Sequence, residues 1–276
     1  MHLKSTESCR RAPKTEITTM IHIDLSGKVI LLTGAMGAIA EHMVKRLNAA
    51  GAMLILIDLK PAEQARRTLR DWQIPAESYL YYSTDVTDSV SLTRAVDESF
   101  ERFPGMDTVL GHAGGCGLHP FGSTLEADFE RIFRFNFFAQ TFLTRAVFAQ
   151  WVRRKIPGHL IFTSSYVARV PHTQIPSYAS AKAALENFAR CMALEYASTG
   201  IRVNVVSPGN VAAGSSLKVF EEDPAYREFV LRVSLGKRNS PESIADAFVF
   251  LCSPLASEIS GQIVSADYGS GVGNRL

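Results

Sequence analysis

Tyr178 and Lys182 lie four residues apart in the segment YASAK. On a helix this spacing places both side chains on one face. A free phenol has a pKa of about 10 and is therefore a weak base at neutral pH. A neighbouring ammonium group favours the phenolate, as would an oxidised nicotinamide, so we expect the pKa of Tyr178 to fall towards the working range. The spacing alone is weak support, but this chemistry suits proton transfer at an alcohol or a ketone.

Two other polar side chains precede this pair. Ser165 ends the segment FTSS, and its hydroxyl could hold a substrate oxygen beside Tyr178. Asn136 lies in the phenylalanine-rich segment RIFRFNFFAQ. A lone amide among apolar residues either satisfies backbone groups at a helix irregularity or organises a water molecule near the site, and the sequence leaves both possibilities open.

A nucleotide site is indicated nearer the amino terminus, where the segment TGAMGAIA is typical of a turn between a strand and a helix. Gly34 and Gly37 let backbone N–H groups face a pyrophosphate there, although glycines are also ordinary turn residues. Asp58 follows 24 residues after Gly34. Its carboxylate suits the adenosine ribose hydroxyls and repels the 2′-phosphate of NADP, so the sequence predicts NAD; the alternative is a solvated acid before a helix. Asp85, in TDVTD, either caps a turn or accepts from the adenine amino group.

The elements that position these residues alternate between short apolar runs and helix-period segments, which predicts a Rossmann-type doubly wound α/β fold. We expect a seven-stranded parallel sheet with helices on both faces. The predicted strands are Val29–Thr33, Met53–Asp58, Tyr79–Thr84, Thr108–Gly111, His159–Thr163, Arg202–Val206 and Ile263–Ala266. The predicted helices are Ala38–Ala49, Pro61–Trp72, Val90–Phe103, Leu125–Arg153, Tyr178–Ala197 and Pro241–Cys252.

The domain organisation is expected to be simple. Residues 21–276 are interpreted as a single catalytic domain, preceded by a disordered extension over 1–20, and the true start is either Met1 or Met20. Residues 214–237 interrupt the alternation and are interpreted as a substrate lid; a plain surface helix pair is the alternative. Insertions after strand ends line the ligand crevice in folds of this kind.

Composition excludes several classes of function. The net charge is +2 and no run of Lys or Arg is present, so nucleic-acid binding has little support. The 4 cysteines are widely separated, which predicts neither a metal site nor a redox pair. No stretch is long and apolar enough for a membrane span, and the first 19 residues lack the apolar core of a secretory signal. We expect a cytoplasmic protein.

Taken together, these motifs resemble the classical branch of the short-chain dehydrogenase/reductase family from about Ile23 onwards. The order is a glycine turn, the two aspartates, Asn136, Ser165, YASAK, a Pro–Gly pair and a closing SGQIVSADYG. The resemblance implies that Tyr178 is the acid/base, Ser165 positions the substrate, Lys182 binds the ribose and lowers the tyrosine pKa, and Asn136 holds a proton-relay water. It implies cofactor binding by Gly34, Met36, Gly37, Ile39, Asp58, Asp85, Val86, Ala113, Gly114, Tyr178, Lys182, Pro208, Gly209 and Val211.

Five positions depart from the family pattern. Ala38 and Ala40 replace the second and third glycines of the turn, and a Cβ at Ala38 is expected to loosen pyrophosphate binding. Gly111 and His112 replace two asparagines after the fourth strand. Ala213 replaces a threonine that contacts the carboxamide, for which Ser215 or Ser216 is a candidate replacement. Asn210 is our candidate for a polar group near the nicotinamide.

The sequence therefore favours an NAD-dependent oxidoreductase that transfers a hydride between a secondary alcohol and its ketone. A polar, sugar-like substrate or a 3-oxoacyl thioester is expected, contacted by Ser165 and Tyr178 and by the loop side chains Cys116, His119, His172 and Gln174. The alternative is a nucleotide-sensing protein of the same fold that has lost turnover. A sugar-nucleotide epimerase shares the Tyr/Lys pair, but we expect no room for its extra domain. The resemblance also implies a homotetramer or homodimer formed through the helices of Asn136 and Tyr178.

Overall fold

The computed structural model describes residues 22–234 and 236–272, so the predicted extension over residues 1–20 lies outside the described residues. The seven strands are β1 (Val29–Thr33), β2 (Met53–Asp58), β3 (Tyr79–Ser83), β4 (Thr108–Gly111), β5 (His159–Thr163), β6 (Arg202–Pro208) and β7 (Ile263–Ala266). They form one parallel sheet in the order β3-β2-β1-β4-β5-β6-β7. The predicted doubly wound sheet is confirmed.

The helices of this fold connect the strands. They are α1 (Ala38–Ala49), α2 (Ala62–Asp71), α3 (Ser89–Arg102), α4 (Glu126–Phe133), α5 (Ala139–Arg154), α6 (Pro176–Glu195), α7 (Gly214–Glu222), α8 (Pro224–Val233) and α9 (Pro241–Cys252). Most predicted boundaries are correct to within two residues. Within the described ranges, no helix has both the length and the hydropathy that crossing a membrane requires.

The central strands are mainly apolar because each face of the sheet is covered. Successive residues of β1 point to opposite sides: Ile30 and Leu32 pack with Met43 of α1 and Phe248 of α9, whereas Leu31 packs in the other layer, which includes Trp151 of α5. Alternate side chains of a strand therefore enter two hydrophobic layers, one on each face of the sheet, rather than one hydrophobic layer and solvent. The strand order reverses between β1 and β4, and doubly wound sheets bind ligands beyond the carboxyl ends of the strands at such a point.

Two predicted helices differ from the structure in ways that matter for the site. The helix predicted over Leu125–Arg153 is continuous but contains a π-helical turn, Arg134–Phe138, between α4 and α5. The helix predicted to start at Tyr178 starts at Pro176 instead. Proline at the first helical position lacks only an N–H that would have no partner within the helix, so it extends the helix backwards.

Residues 214–237 contain the helices α7 and α8. Asp223 separates them and caps α8, because its carboxylate accepts hydrogen bonds from the backbone N–H groups of Ala225 and Tyr226 at 2.9 and 3.1 Å. Both helices contribute side chains to a cavity, among them Val219 and Tyr226. We call α7 and α8 together the lid.

Candidate active site

One cavity of about 360 Å³ lies at the carboxyl ends of β1, β4, β5 and β6. It is lined by many of the predicted site residues: Gly37, Ile39, Gly114, Cys116, Ser165, His172, Tyr178, Lys182, Pro208, Gly209 and Val211. The other predicted residues are outside this lining: Gly34, Met36, Asp58, Asp85, Val86, Ala113 and Asn136, together with the loop residues His119 and Gln174. The fold thus brings the chemical residues together around one space.

Tyr178 and Lys182 share one face of α6, as their spacing predicted. The Lys182 ammonium lies 5.7 Å from the centroid of the Tyr178 ring and donates to the backbone oxygen of Thr163 at 2.8 Å. Burial lowers the pKa of Lys182 to about 8. The amine is therefore still largely protonated at neutral pH.

The expected fall in the pKa of Tyr178 is not found in the protein chain. Burial raises that pKa, and so do the neighbouring Cys116 thiol and the Tyr166 hydroxyl, while the Ser165 hydroxyl opposes the rise. The prediction was wrong for the chain alone because desolvation of the buried phenolate is the largest cause of the shift. Tyr178 is a neutral phenol at physiological pH.

Ser165 directly follows the Thr163–Ser164 end of β5 and begins a short 3-10 turn, Tyr166–Ala168. Its hydroxyl is buried and accepts only a long hydrogen bond, 3.5 Å, from the backbone N–H of Val167. The hydroxyl hydrogen is consequently available to a substrate oxygen in the cavity.

Asn136 is fully buried in the π-helical turn between α4 and α5. Its amide nitrogen donates to the backbone oxygens of Ile132 and Gly115 at 3.0 and 2.9 Å, and its oxygen accepts from the N–H of Gly115 at 3.0 Å. Of the two possibilities that the sequence left open, the structure shows the first: the amide satisfies backbone groups at a helix irregularity. One acceptor site of its oxygen is left over.

Two glycines allow close approaches of the backbone in this region: Gly114 lines the cavity, and Gly34 packs against the neighbouring strand end outside the lining. Gly34 has a φ of +69°, and a Cβ there would lie 2.7 Å from the Cα of Ala113. A Cβ on Gly114 would lie 2.9 Å from the Asn136 side-chain oxygen and 3.1 Å from the Lys182 ammonium. Backbone is therefore directly accessible beside both polar groups, which suits a ligand that needs close approach.

Asp58 ends β2 beside the glycine turn. Its carboxylate accepts from the backbone N–H groups of Met36 and Lys60 at 2.9 and 3.1 Å. Each oxygen retains a further acceptor position. Asp85 accepts from both the N–H and the hydroxyl of Thr87 at 2.8 Å through one oxygen, so it closes a turn and leaves its other oxygen available.

The altered positions of the glycine turn have separate consequences. Ala38 is the first residue of α1 and lines the cavity, whereas Ala40 is fully buried in the core beneath that helix. Gly37 caps α1 with no side chain, so no side chain of the cap competes for the N–H groups of the first turn. Ala40 therefore belongs to packing, and only the Cβ of Ala38 faces the cavity.

His112, which replaces a family asparagine, lines the cavity and is bonded through Nδ1 to the Thr163 hydroxyl at 2.9 Å. Burial, together with the charge of Lys182, lowers its pKa to about 4, so the imidazole is neutral. The backbone oxygen of the same Thr163 receives the Lys182 ammonium. His112 therefore helps to position Thr163 at the end of β5, whose backbone oxygen binds Lys182.

The lid is fastened to the loop after β6 by a cluster that the sequence did not reveal, which we call the latch: Asn210, Ser216, Phe220, Tyr226 and Arg238. The Asn210 side-chain oxygen accepts from the Ser216 hydroxyl at 3.0 Å and from the Arg238 guanidinium at 2.9 Å. Its amide nitrogen donates to the Tyr226 hydroxyl at 2.6 Å. The guanidinium also donates to the backbone oxygen of Val211 and lies 4.4 Å from the centroid of the Phe220 ring. Ser216, one of the candidates to replace the family threonine, is committed to this cluster.

A second missed group is Glu186, one turn beyond Lys182 on α6. It is buried, accepts from the Ser164 hydroxyl at 2.9 Å and lies 3.9 Å from the Arg169 guanidinium. Arg169 in turn donates to Ser207 at 2.9 Å and lies 3.9 Å from Asp267. The spacing 178, 182, 186 was a readable signal of a shared face, but a glutamate there is equally typical of a solvated helix surface.

These features fit a nicotinamide dinucleotide. The first turn of α1 has no side-chain cap and faces the cavity, where it can bind a phosphate, and two glycines leave the backbone free of side chains. The Asp58 carboxylate lies beside the glycine turn, and the buried Lys182 ammonium lies beside Tyr178. In the described part of the chain, no group of three or more His, Cys, Asp or Glu side chains is arranged to hold a metal ion.

Comparisons with known proteins agree with this arrangement. A family model described as enoyl-(acyl carrier protein) reductase matches residues 34–270. The 7alpha-hydroxysteroid dehydrogenase of Escherichia coli K12 is 29% identical over 90% of this chain and 96% of its own. Galactitol 2-dehydrogenase (L-tagatose-forming) of Cereibacter sphaeroides is 30% identical over 89% of this chain and 95% of its own. A solved 7 alpha-hydroxysteroid dehydrogenase in complex with NADH and 7-oxo glycochenodeoxycholic acid superposes with a TM-score of 0.81, at 28% identity over 90% of this chain and 96% of that one.

Proposed function

The chain belongs to the short-chain dehydrogenase/reductase family and is an oxidoreductase acting on CH–OH groups, and we propose that it uses NAD to interconvert a secondary alcohol and its ketone with Tyr178 as the acid/base. The observation that carries this proposal is the convergence of Ser165, Tyr178 and Lys182 on one cavity. The relatives carry dehydrogenase names, which favours the enzyme over a protein that has lost turnover.

The residues divide the work as follows in the direction of reduction. The Ser165 hydroxyl donates to the substrate oxygen and holds it beside Tyr178. The raised pKa of Tyr178 keeps its phenol protonated, so it is ready to give that proton to the oxygen as the carbonyl is reduced. The cofactor, when bound, would donate a hydride in its reduced form and accept one in its oxidised form.

In the opposite direction Tyr178 must first lose its proton, which burial opposes. The Lys182 ammonium is the nearby positive charge that stabilises the phenolate. We propose that a water between Lys182 and the remaining acceptor position of Asn136 passes the proton onwards, because both groups border the space above Gly114. Neutral His112 holds Thr163, and Thr163 in turn fixes the amine.

The preference for NAD rests on Asp58. Its carboxylate stands beside the glycine turn, where it suits ribose hydroxyls as acceptor and repels a 2′-phosphate. The NADH in the steroid dehydrogenase complex is consistent with this choice.

We also propose residues 21–276 as a single catalytic domain with the lid as its substrate cover, and a homotetramer or homodimer formed through α4, α5 and α6. The aromatic side chains Phe137, Phe148 and Phe188 on these helices pack with one another or with neighbouring rings. Sedimentation velocity tests the assembly, and a monomer at micromolar concentration would contradict it.

The activity itself is tested by Tyr178→Phe, which removes the proton donor and keeps the ring. With NADH and a panel of ketones we expect kcat/KM to fall by about 10² or more, the usual contribution of acid–base catalysis. NADH affinity, followed by fluorescence, should change little in the same variant. Retention of most activity would remove Tyr178 from the mechanism.

A further inference from the structure

The substrate half of the cavity is formed by three segments. Cys116 and Leu118 follow β4, Tyr166 to Ile175 connect β5 to α6, and Val219 and Tyr226 belong to the lid. Besides the hydroxyls of Ser165 and Tyr178, these walls carry polar groups of Cys116, Tyr166, His172 and Tyr226, and the rest of their surface is aliphatic or aromatic. The composition of a pocket wall decides which groups of a ligand can be desolvated there.

No charged side chain other than Lys182 belongs to the described lining. The two nearest arginines are turned to other partners. Arg169 donates to Ser207 and faces Asp267, and the Arg238 guanidinium is held by the latch. A carboxylate or phosphate on the substrate would therefore be desolvated without a counter-charge, which is costly.

The polar groups at the entrance are also engaged within the protein. The His172 ring lies edge-on to Phe229 at 5.0 Å, and its Nδ1 contacts the backbone oxygen of Thr173 at 2.5 Å. The Tyr226 hydroxyl accepts a hydrogen bond from the side-chain amide of Asn210. A substrate with many hydroxyls would find few free partners for them.

The outer rim is apolar as well. Leu118, which lines the cavity, is 50% exposed. Its segment is joined to the segment before α6 because the His119 N–H donates to the backbone oxygen of Gln174 at 2.7 Å. An exposed apolar side chain at the mouth of a cavity favours an apolar ligand there.

We propose that the substrate is an uncharged, apolar ring ketone or the corresponding alcohol, held between the aromatic side of the lid and the segment after β5. This inference rests on the proposed function and narrows it. It excludes sugar acids, polyols and phosphate-bearing thioesters as the preferred substrates, although the sequence had favoured a polar one. The apolar surface of an aliphatic ring can pack against the Tyr226 and His172 rings, which removes it from water.

The test uses a pair of ring ketones that differ in charge and by one methyl group: methyl 4-oxocyclohexanecarboxylate and the free 4-oxocyclohexanecarboxylate. With NADH at pH 7 we expect kcat/KM for the ester to exceed that for the carboxylate by about 30-fold or more, with 2-decalone at least as good as the ester. D-fructose and 5-ketogluconate should be poorer than both uncharged ring ketones, the ester and 2-decalone. Equal or better use of the carboxylate, or of either sugar, overturns the inference.

Failure of the proposed function gives a different result. If NADH binds but none of these ketones is reduced, the oxidoreductase assignment and the inference fall together. If ketones are reduced but the ionic ones are preferred, only the inference falls.

A charge placed in the wall gives a second, independent readout. Leu118→Arg should raise kcat/KM for the carboxylate at least fivefold, because the guanidinium pairs with that negative charge. It should lower kcat/KM for the ester, because a charged side chain makes the rim of the cavity less apolar. Leu125→Arg is the matched control, since Leu125 is similarly exposed on the same segment but does not line the cavity. A response of the control as large as that of Leu118→Arg would show a general effect of surface charge and contradict the inference.

Discussion

Among the single residues, Asp58 differs from a buried core acid because its carboxylate can still bind a ligand. Two backbone N–H groups orient its carboxylate, but both oxygens can still accept from a ligand. The fixed negative charge penalises a phosphate much more than a hydroxyl. Discrimination between the two cofactors is therefore expected to depend on this one charge.

Asp58→Ser removes that charge and keeps a hydrogen-bonding group. We expect the ratio of kcat/KM with NADH to kcat/KM with NADPH to fall at least tenfold, which corresponds to about 1.4 kcal/mol. Asp71→Ser, which changes an exposed acid at the end of α2, is the control and should leave the ratio unaltered. A ratio that does not move in Asp58→Ser would mean that the carboxylate does not face the ribose.

Lys182 provides a prediction about pH because burial lowers its pKa to about 8. Below that pH the amine is charged and can donate to a ribose; above it the charge is lost. We expect NADH affinity to decline as the pH rises through about 8, by up to tenfold per unit. Fluorescence titrations between pH 6.5 and 9.5 measure this, and Lys182→Met should bind weakly with a flat profile. The idea fails if the variant and the wild type show the same pH dependence.

At the scale of elements, the lid is attached at both of its ends by one side chain. Asn210, in the loop after β6, binds Ser216 near the start of α7 and Arg238 beyond the end of α8. The latch therefore couples the position of the lid to the loop that the resemblance places against the nicotinamide.

Arg238→Met removes the donors of the latch but keeps much of the aliphatic length over Phe220. We expect KM for the ketone to rise about five- to tenfold with a smaller change in kcat, because a looser lid binds substrate less well before the chemistry begins. Limited proteolysis should cut between residues 214 and 237 faster in this variant. Arg232→Met, at an exposed position of α8, is the control. Unchanged KM and unchanged proteolysis would show that the latch does not hold the lid.

The elements also show what a sequence can and cannot predict. Continuous apolar runs identified all seven strands, and the spacing of Tyr178 and Lys182 placed both on one face of α6. The sequence did not decide between the two roles of the Asn136 amide, because the helix irregularity depends on its pairing with Gly115, which lies 21 residues away. The latch was missed for the same reason: Arg238 and Asn210 are 28 residues apart, and an arginine near a lid has no pattern of its own. The burial that raises the Tyr178 pKa is likewise a property of the assembled fold.

In the molecule as a whole, the amino-terminal ends of the strands, opposite the cavity, carry a buried polar group with no part in the chemistry. His159 begins β5 and is 4% exposed. The Arg202 guanidinium contacts its Nδ1 at 2.8 Å, and the Asn204 amide contacts its Nε2 at 2.9 Å. Burial, together with the positive charges of Arg202 and Lys28, lowers the pKa of His159 to about 3. This histidine is neutral in the folded protein under all physiological conditions.

That shift makes the fold sensitive to acid. An unfolded chain takes up a proton on His159 below about pH 6.5, whereas the folded chain does not do so until about pH 3. The unfolded state then binds more protons, so the free energy of unfolding must fall with decreasing pH across this interval. Between pH 7 and pH 5 the contribution lost is about 2 kcal/mol for this one group. We expect urea unfolding of the wild type to show this loss, and His159→Gln, although less stable at pH 7, to show a shallower pH dependence. His119→Gln, in the loop after β4, should keep the wild-type slope. Equal slopes in wild type and His159→Gln would mean that the acid sensitivity of the fold arises from other groups, such as His112 or the carboxylates, and not from His159.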